Sequence, residues 1–115
     1  MKKKLHEFME RDNMSKGDLE RLSMFYILSN NKDLSSKVDY IYDFKNRSIK
    51  SNCLDNENVD FCSSSRKLIR LAFNLFNGNY PADVLNSFSG LDDDNFEIAL
   101  NAVKIRFNRY WVVNQ

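Results

Sequence analysis

The chain has 115 residues, a formal net charge of +1 and an aromatic set of nine Phe, five Tyr and one Trp. This is one domain, residues 1–115, long enough to bury a core without disulfide or metal staples and too aromatic to be disordered. The near-neutral charge excludes a global pull toward nucleic acid or acidic membranes, and no apolar run reaches the length of a membrane span.

Residues 2–11 carry Leu5, Phe8 and Met9 at helical spacing, which predicts a short amphipathic helix interrupted by Asp12 and Asn13. The basic start is followed by His6 and Glu7 rather than by the apolar run of a signal peptide, so a cytoplasmic location is expected. Ser15 and Asp18 resemble a capping box with Asp in place of Glu or Gln. The second helix then runs to about residue 29, with Leu19, Leu22, Phe25 and Tyr26 on one face, broadened by Met24, Ile27 and Leu28. Asn30, Asn31 and Lys32 form a turn, and Asp33 is positioned to cap a third helix that points Leu34, Val38, Ile41 and Tyr42 inward.

Between residues 45 and 61 the periodicity fails. Asn46, Arg47 and Ser48 are a turn signal flanked by Phe44 and Ile49, which allows a short β-hairpin near 42–50. The polar stretch 52–60 is anchored by Leu54 and Val59 and carries Asp55 and Glu57. A connection this long is either packed by its own anchors or functional. Cys53 and Cys62 are the only cysteines. A reducing cytosol would keep them free, and with His6 distant they lack the ligand spacing of a zinc site. The plainer reading makes Cys62 a small buried residue beside a serine cap.

The strongest signal is the segment 60–78. Ser63, Ser64 and Ser65 offer capping oxygens, Gly78 stands where a left-handed residue would end a helix, and Pro81 follows. Leu68, Ile69, Leu71, Ala72, Phe73, Leu75 and Phe76 make an apolar band too wide for a surface helix, so this helix is central. Arg66, Arg70, Asn74 and Asn77 form its polar face, with Lys67 beside them. Arg and Asn are the side chains that read guanine and adenine edges, but every globular helix needs a polar side, and the plainer reading is a face that is solvated or tied to loops.

Residues 82–88 predict a short helix with Val84, Leu85 and Phe88. Asp92, Asp93 and Asp94 fit the capped start of a last helix better than a cation site, since the spacing and glycine of a calcium loop are missing. That helix spans about 95–109, with Phe96, Ala99, Leu100, Val103 and Phe107 on its main face and Lys104, Arg106 and Arg109 at its favourable end. Tyr110, Trp111, Val112 and Val113 form an apolar tail that either docks back on the body or builds a homodimer interface. The fold class is therefore all-α: a bundle of about five helices around the helix at 63–78, with the hairpin as its one β element.

Four runs, KGDLERLSMFYILSNN, YIYDF, VDFCSSSRKLIRLAFNLFNG and DNFEIALNAVKIRF, together resemble a family of small uncharacterised proteins, a domain of unknown function, from Firmicutes and their phages and mobile elements. The resemblance spans about 12–107. It implies a free-standing accessory domain and supplies no catalytic residue, cofactor or metal. The abundance of Asn and Lys, with no Thr, agrees with an AT-rich genome.

Nothing in the chain composes an active site. There is one His, in the first helix, and the three glycines form no phosphate loop. The expected function is a non-catalytic protein-interaction module, on the accessory reading an anti-CRISPR-like inhibitor of a host defence protein. Its candidate contact residues are Arg66, Lys67, Arg70 and Asn74, the acidic Asp55 and Glu57, and the aromatic Tyr110 and Trp111. The alternative is a DNA-binding regulator using the basic face of 63–78 or the helix pair at 18–44. In that pair, Asp39 and Asp43 on the exposed face would repel phosphates.

Overall fold

The computed structural model of the protein describes residues 2–110. Helix α1 is Lys2–Asp12, α2 is Leu19–Asn30, α3 is Lys32–Ser36 and α4 is Val38–Ile41. Strands β1, Tyr42–Asp43, and β2, Ser48–Ile49, form an antiparallel hairpin in which Tyr42 faces Ile49 and Asp43 faces Ser48. A 3₁₀ turn at Cys53–Asp55 leads to α5, Ser63–Phe76, then α6, Val84–Phe88, and α7, Asp93–Arg106. The fold is thus mostly helical with one small hairpin at the expected place.

Among the described residues there are seven helices where about five were expected, chiefly because the third helix splits at Lys37. The Lys37 amide donates to the Leu34 carbonyl, and its ammonium pairs with Asp33 at 2.6 Å and donates to the Asp60 carbonyl at 2.5 Å. Lys37 therefore closes α3 and holds the long loop. Asp33 does not cap α3; the Asn31 side chain does, accepting from the Leu34 amide at 3.0 Å. The Asp33 carboxylate instead accepts from Ser65 Oγ at 2.7 Å. Burial pushes the Asp33 carboxyl up, but the hydrogen bonds from Lys37 and Ser65 outweigh it and hold it below the ordinary range.

The start and end of α5 also differ from expectation. The N-cap is Cys62, with no side-chain capping bond, since a thiol is a weak acceptor; Ser63, Ser64 and Ser65 lie inside the helix, and Ser65 donates to Asp33. Cys62 is exposed, Cys53 is the buried cysteine, and both are free. Burial pushes the Cys53 thiol up to about 11, whereas hydrogen bonding with Ser65 lowers that of Cys62. At its other end α5 stops when Asn77 turns extended, at φ −149°, while its amide still reaches the Phe73 carbonyl. The left-handed glycine is Gly90, at φ 76°, which turns the chain from α6 toward α7. The aspartate caps at Asp18 and Asp92 accept from the Arg21 and Asn95 amides.

The core has two central helices. As expected, α5 is deep in it, packing on α2, α6 and α7, and α2 shares that position, packing on α1, α3, α5 and α7. Leu22, Phe25, Ile27 and Leu28 of α2 meet Leu68, Ile69, Leu71 and Ala72 of α5 in one continuous buried cluster. The loop after the hairpin closes on this cluster through buried Cys53 and Phe61, with Leu54 and Val59 partly buried, so it is packed by its own anchors.

Helix α7 is turned part of the way from its expected orientation. Ala99 is buried and Val103 packs on the core as expected, but Asn101, Ala102 and Ile105 are buried too, while Phe96 and Phe107 are exposed. Two alanines at the contact let α7 approach α2 and α5 closely, and the bulky phenyl groups are left on the far side.

Candidate interaction surface

The polar stripe of α5 is a bracket for loops. The Arg66 guanidinium donates to the Leu54 carbonyl at 3.0 Å, and Lys67 Nζ donates to the Ser89 carbonyl at the end of α6. Asn74 Nδ2 donates to the Tyr80 carbonyl at 2.7 Å. These three contacts tie both the loop before α5 and the passage from α5 through α6 to one helix face. Arg70 differs: it is exposed and makes no ion pair or side-chain hydrogen bond with another described residue. The expected face is therefore present as a stripe, but only Arg70 is left to face outward uncommitted.

Lys67, Arg70 and Asn74 line one wall of a cavity of about 600 Å³, whose other wall comes from Pro81, Asp83 and Asn86. Asp83 caps α6, accepting from the Asn86 amide at 2.8 Å and from its side chain at 2.7 Å. Those bonds hold the Asp83 carboxyl below its ordinary value. Beside this polar cavity lies an apolar one of about 330 Å³, lined by Leu71, Leu75, Val84, Phe88, Val103 and Phe107. The two share Asn74, Gly78, Ala82, Asp83 and Ser87, so they adjoin across these residues as the two halves of one groove region between α5, α6 and α7.

Around the apolar half stand large exposed side chains. Val84 is 74% exposed, Leu85 78%, Phe107 67% and Phe96 42%. Phe96 is held against Phe88 in an edge-to-face pair with ring centroids 5.2 Å apart. The short helix at 82–88 was legible, but Val84 and Leu85 turn outward because α6, five residues long, buries only Ser87.

The other candidates are dispersed. Asp55 and Glu57 are exposed on the loop before α5, away from this groove's lining. Tyr110 is partly buried and packs on Tyr26, ring centroids 6.1 Å apart, so the chain docks back at this residue. Trp111, and with it the tail proposed for a homodimer, lies outside the described residues. A depression beside α7 is lined by Tyr26, Asn30, Asp92, Asp94, Glu97 and Asn101. Among the described residues no group of three His, Cys, Asp or Glu side chains is placed to hold a metal ion, and no helix is long and apolar enough to cross a membrane.

One polar cluster has no counterpart in the sequence reading. Asp12 is buried, and its carboxylate accepts from Tyr42 Oη and pairs with Arg47 at 3.0 Å and with Arg21 at 3.5 Å. Arg21 also donates to the Arg47 carbonyl at 3.1 Å. The cluster locks α1, α2 and the hairpin turn, where Arg47 takes a left-handed φ of 55°. Burial and the hydrogen bond to Asp12 push the Tyr42 hydroxyl up to about 12 from the ordinary 10. The folded state thus holds this proton more tightly than the unfolded chain. Its stabilising contribution is complete below pH 10 and is lost as pH rises to about 12. Urea titrations from pH 8 upward are expected to show a steeper alkaline loss for the wild type than for Tyr42→Phe, and parallel curves would contradict this assignment.

A model of a family of unknown function, DUF6075, matches residues 1–115. Neither a curated protein nor a solved structure matches the chain.

Proposed function

This chain belongs to the family of unknown function DUF6075, and from that premise we propose that it is a non-catalytic protein-interaction module that binds through the α6–α7 face. The observation that carries the reading is that α6 and α7 leave four large apolar side chains exposed, Val84, Leu85, Phe96 and Phe107, of which Val84 and Phe107 line one cavity with Phe88, and Phe96 packs on Phe88. A contiguous apolar patch ringed by polar groups marks a contact surface, because leaving it in water forfeits the stabilisation that burial would bring. Within this reading the partner is a host protein in the bacterial cytoplasm, and the chain is an accessory factor of a phage or mobile element that occludes a defence effector. Its resemblance to proteins of mobile elements supports that extension. The DNA-binding alternative has less support, since Arg66 and Lys67 are committed to loop carbonyls.

The test is an affinity capture from the native host with wild type and Leu85→Asp in parallel. The expected result is a partner recovered by the wild type and depleted about tenfold by the variant, at unchanged melting temperature. Equal recovery would overturn the placement of the surface. For the inhibitor role, expression is expected to restore plaque formation on a defended strain, and no effect across a panel of defence systems would remove it.

A further inference from the structure

The groove joins an apolar half to a cationic half, and this composition specifies an occupant. Lys67 and Arg70 bring two positive charges to the polar half, and neither forms an ion pair with a described residue. Lys67 Nζ donates to the Ser89 carbonyl, but the Arg70 guanidinium makes no hydrogen bond with another described residue. At the junction stands Ser87, only 4% exposed. The other buried polar side chains, Asp12, Ser23, Ser29, Ser65 and Asn101, each have a hydrogen-bond partner. The Ser87 hydroxyl has none among the described residues, and it lines both halves of the groove. A buried hydroxyl without a partner is destabilising, so its place at the junction is explained if a ligand supplies the missing bond.

We infer that the groove takes an amphipathic segment of a partner protein whose apolar side chains fill the Val84–Phe88–Phe107 half and whose Asp or Glu side chain pairs with Arg70. This rests on the protein-interaction reading and gives its partner a chemistry. An Arg fork matches a carboxylate in two parallel hydrogen bonds, and the low-dielectric wall beside it strengthens the pair. Ser87 then meets a backbone group of the segment where it crosses from one half to the other. A helix laid in such a groove presents its anchors on one face, which places the acid about three or four residues from the apolar pair. A nucleic acid fits less well, because half of the groove is apolar and a phosphate backbone needs a row of cations, whereas Lys67 is already bound to the Ser89 carbonyl.

The test is a selection of random displayed peptides against the full chain, followed by fluorescence-polarisation titration of the enriched peptides. Enriched sequences are expected to carry Asp or Glu within one helical turn of two large apolar residues. Their affinity should fall about tenfold or more with Arg70→Glu, and selection against that variant should exchange the acid for Lys or Arg. Val84→Asp, at the apolar half, should abolish binding of both sets. Peptides that need Val84 but ignore Arg70→Glu would overturn this inference and leave the α6–α7 reading standing. Peptides indifferent to Val84→Asp would overturn both. A steeply salt-dependent, Arg70-dependent affinity for random duplex DNA would assign the groove to nucleic acid. Dimerisation in light scattering that Val84→Asp abolishes would assign it to a second copy of the chain. Either result would refute the peptide assignment.

Discussion

Phe25→Ala is expected to destabilise the protein by about 4 kcal/mol, roughly the upper range for truncating a core aromatic. Phe25 has no exposed surface and stands at the centre of an aromatic cluster. Its ring lies edge-on to Tyr42 at 5.1 Å, stacks on Phe44 at 5.9 Å and meets Phe8 at 6.4 Å. Alanine would lose the transfer free energy of a benzyl group and leave a void bounded by α1, α2 and the hairpin. Those elements cannot all close on it, because the hairpin is held independently by Asp12 and the Arg11 guanidinium stacks on Phe44 at 3.9 Å. Aromatic pair terms of about 1 kcal/mol disappear as well. A domain of this size has about 5–15 kcal/mol in total, so the variant should unfold with a melting temperature lower by about 15 °C. Urea denaturation followed by circular dichroism measures it. Phe107→Ala is the internal control: a phenyl ring that is 67% exposed should change stability by no more than about 0.5 kcal/mol. Equal losses for the two would refute the assignment of inside and outside.

The same pair of phenylalanines shows what periodicity can and cannot convey. In α2 every large apolar residue of the expected face is buried or packed on the core, because the helix is apolar nearly all round and any rotation buries them. In α7 the period was equally clear but its phase was ambiguous. Of the expected face Phe96, Ala99, Leu100, Val103 and Phe107, Ala99 is buried and Val103 packs on the core, but Phe96 and Phe107 are exposed and the neighbouring Ala102 and Ile105 are buried instead. Contact with two helices selected the stripe with the small residues, a decision taken by tertiary packing. Caps behaved similarly. Asp92 caps its own helix because nothing distant competes, whereas Asp33 is taken by Lys37 and Ser65. The groove was half legible. The Arg70 and Asn74 spacing with Lys67 beside it was visible, but the carbonyls that absorb Lys67 and Asn74 belong to loops with no period of their own. The exposed side chains of α6 could be assigned only once the fold placed that helix at the edge of α5 and α7.

Asp12 is the residue that a different use of the sequence would have found. It follows Leu5 and Phe8 at intervals of seven and four, so it lies on their face of α1. A carboxylate on an apolar stripe asks for a buried partner, and the structure supplies Tyr42, Arg47 and Arg21. Asp12→Ala is accordingly expected to cost about 3 kcal/mol, the lower part of the range for breaking a buried charge pair, because the Arg47 side chain remains 43% exposed and can recover water. The Tyr42 hydroxyl cannot, since Tyr42 is buried and would keep only its contact with the Arg21 guanidinium. Asp12→Asn separates charge from shape: it preserves volume and one acceptor oxygen, so its loss should be about half as large. The loss should also be local before it is global. Hydrogen exchange is expected to accelerate first in α1 and in the 42–49 hairpin, which the cluster ties together, while α5 and α7 stay protected. Uniform acceleration across all helices would show that Asp12 acts through overall stability alone, and an Asp12→Ala variant within about 0.5 kcal/mol of wild type would remove the cluster as the lock between α1 and the hairpin.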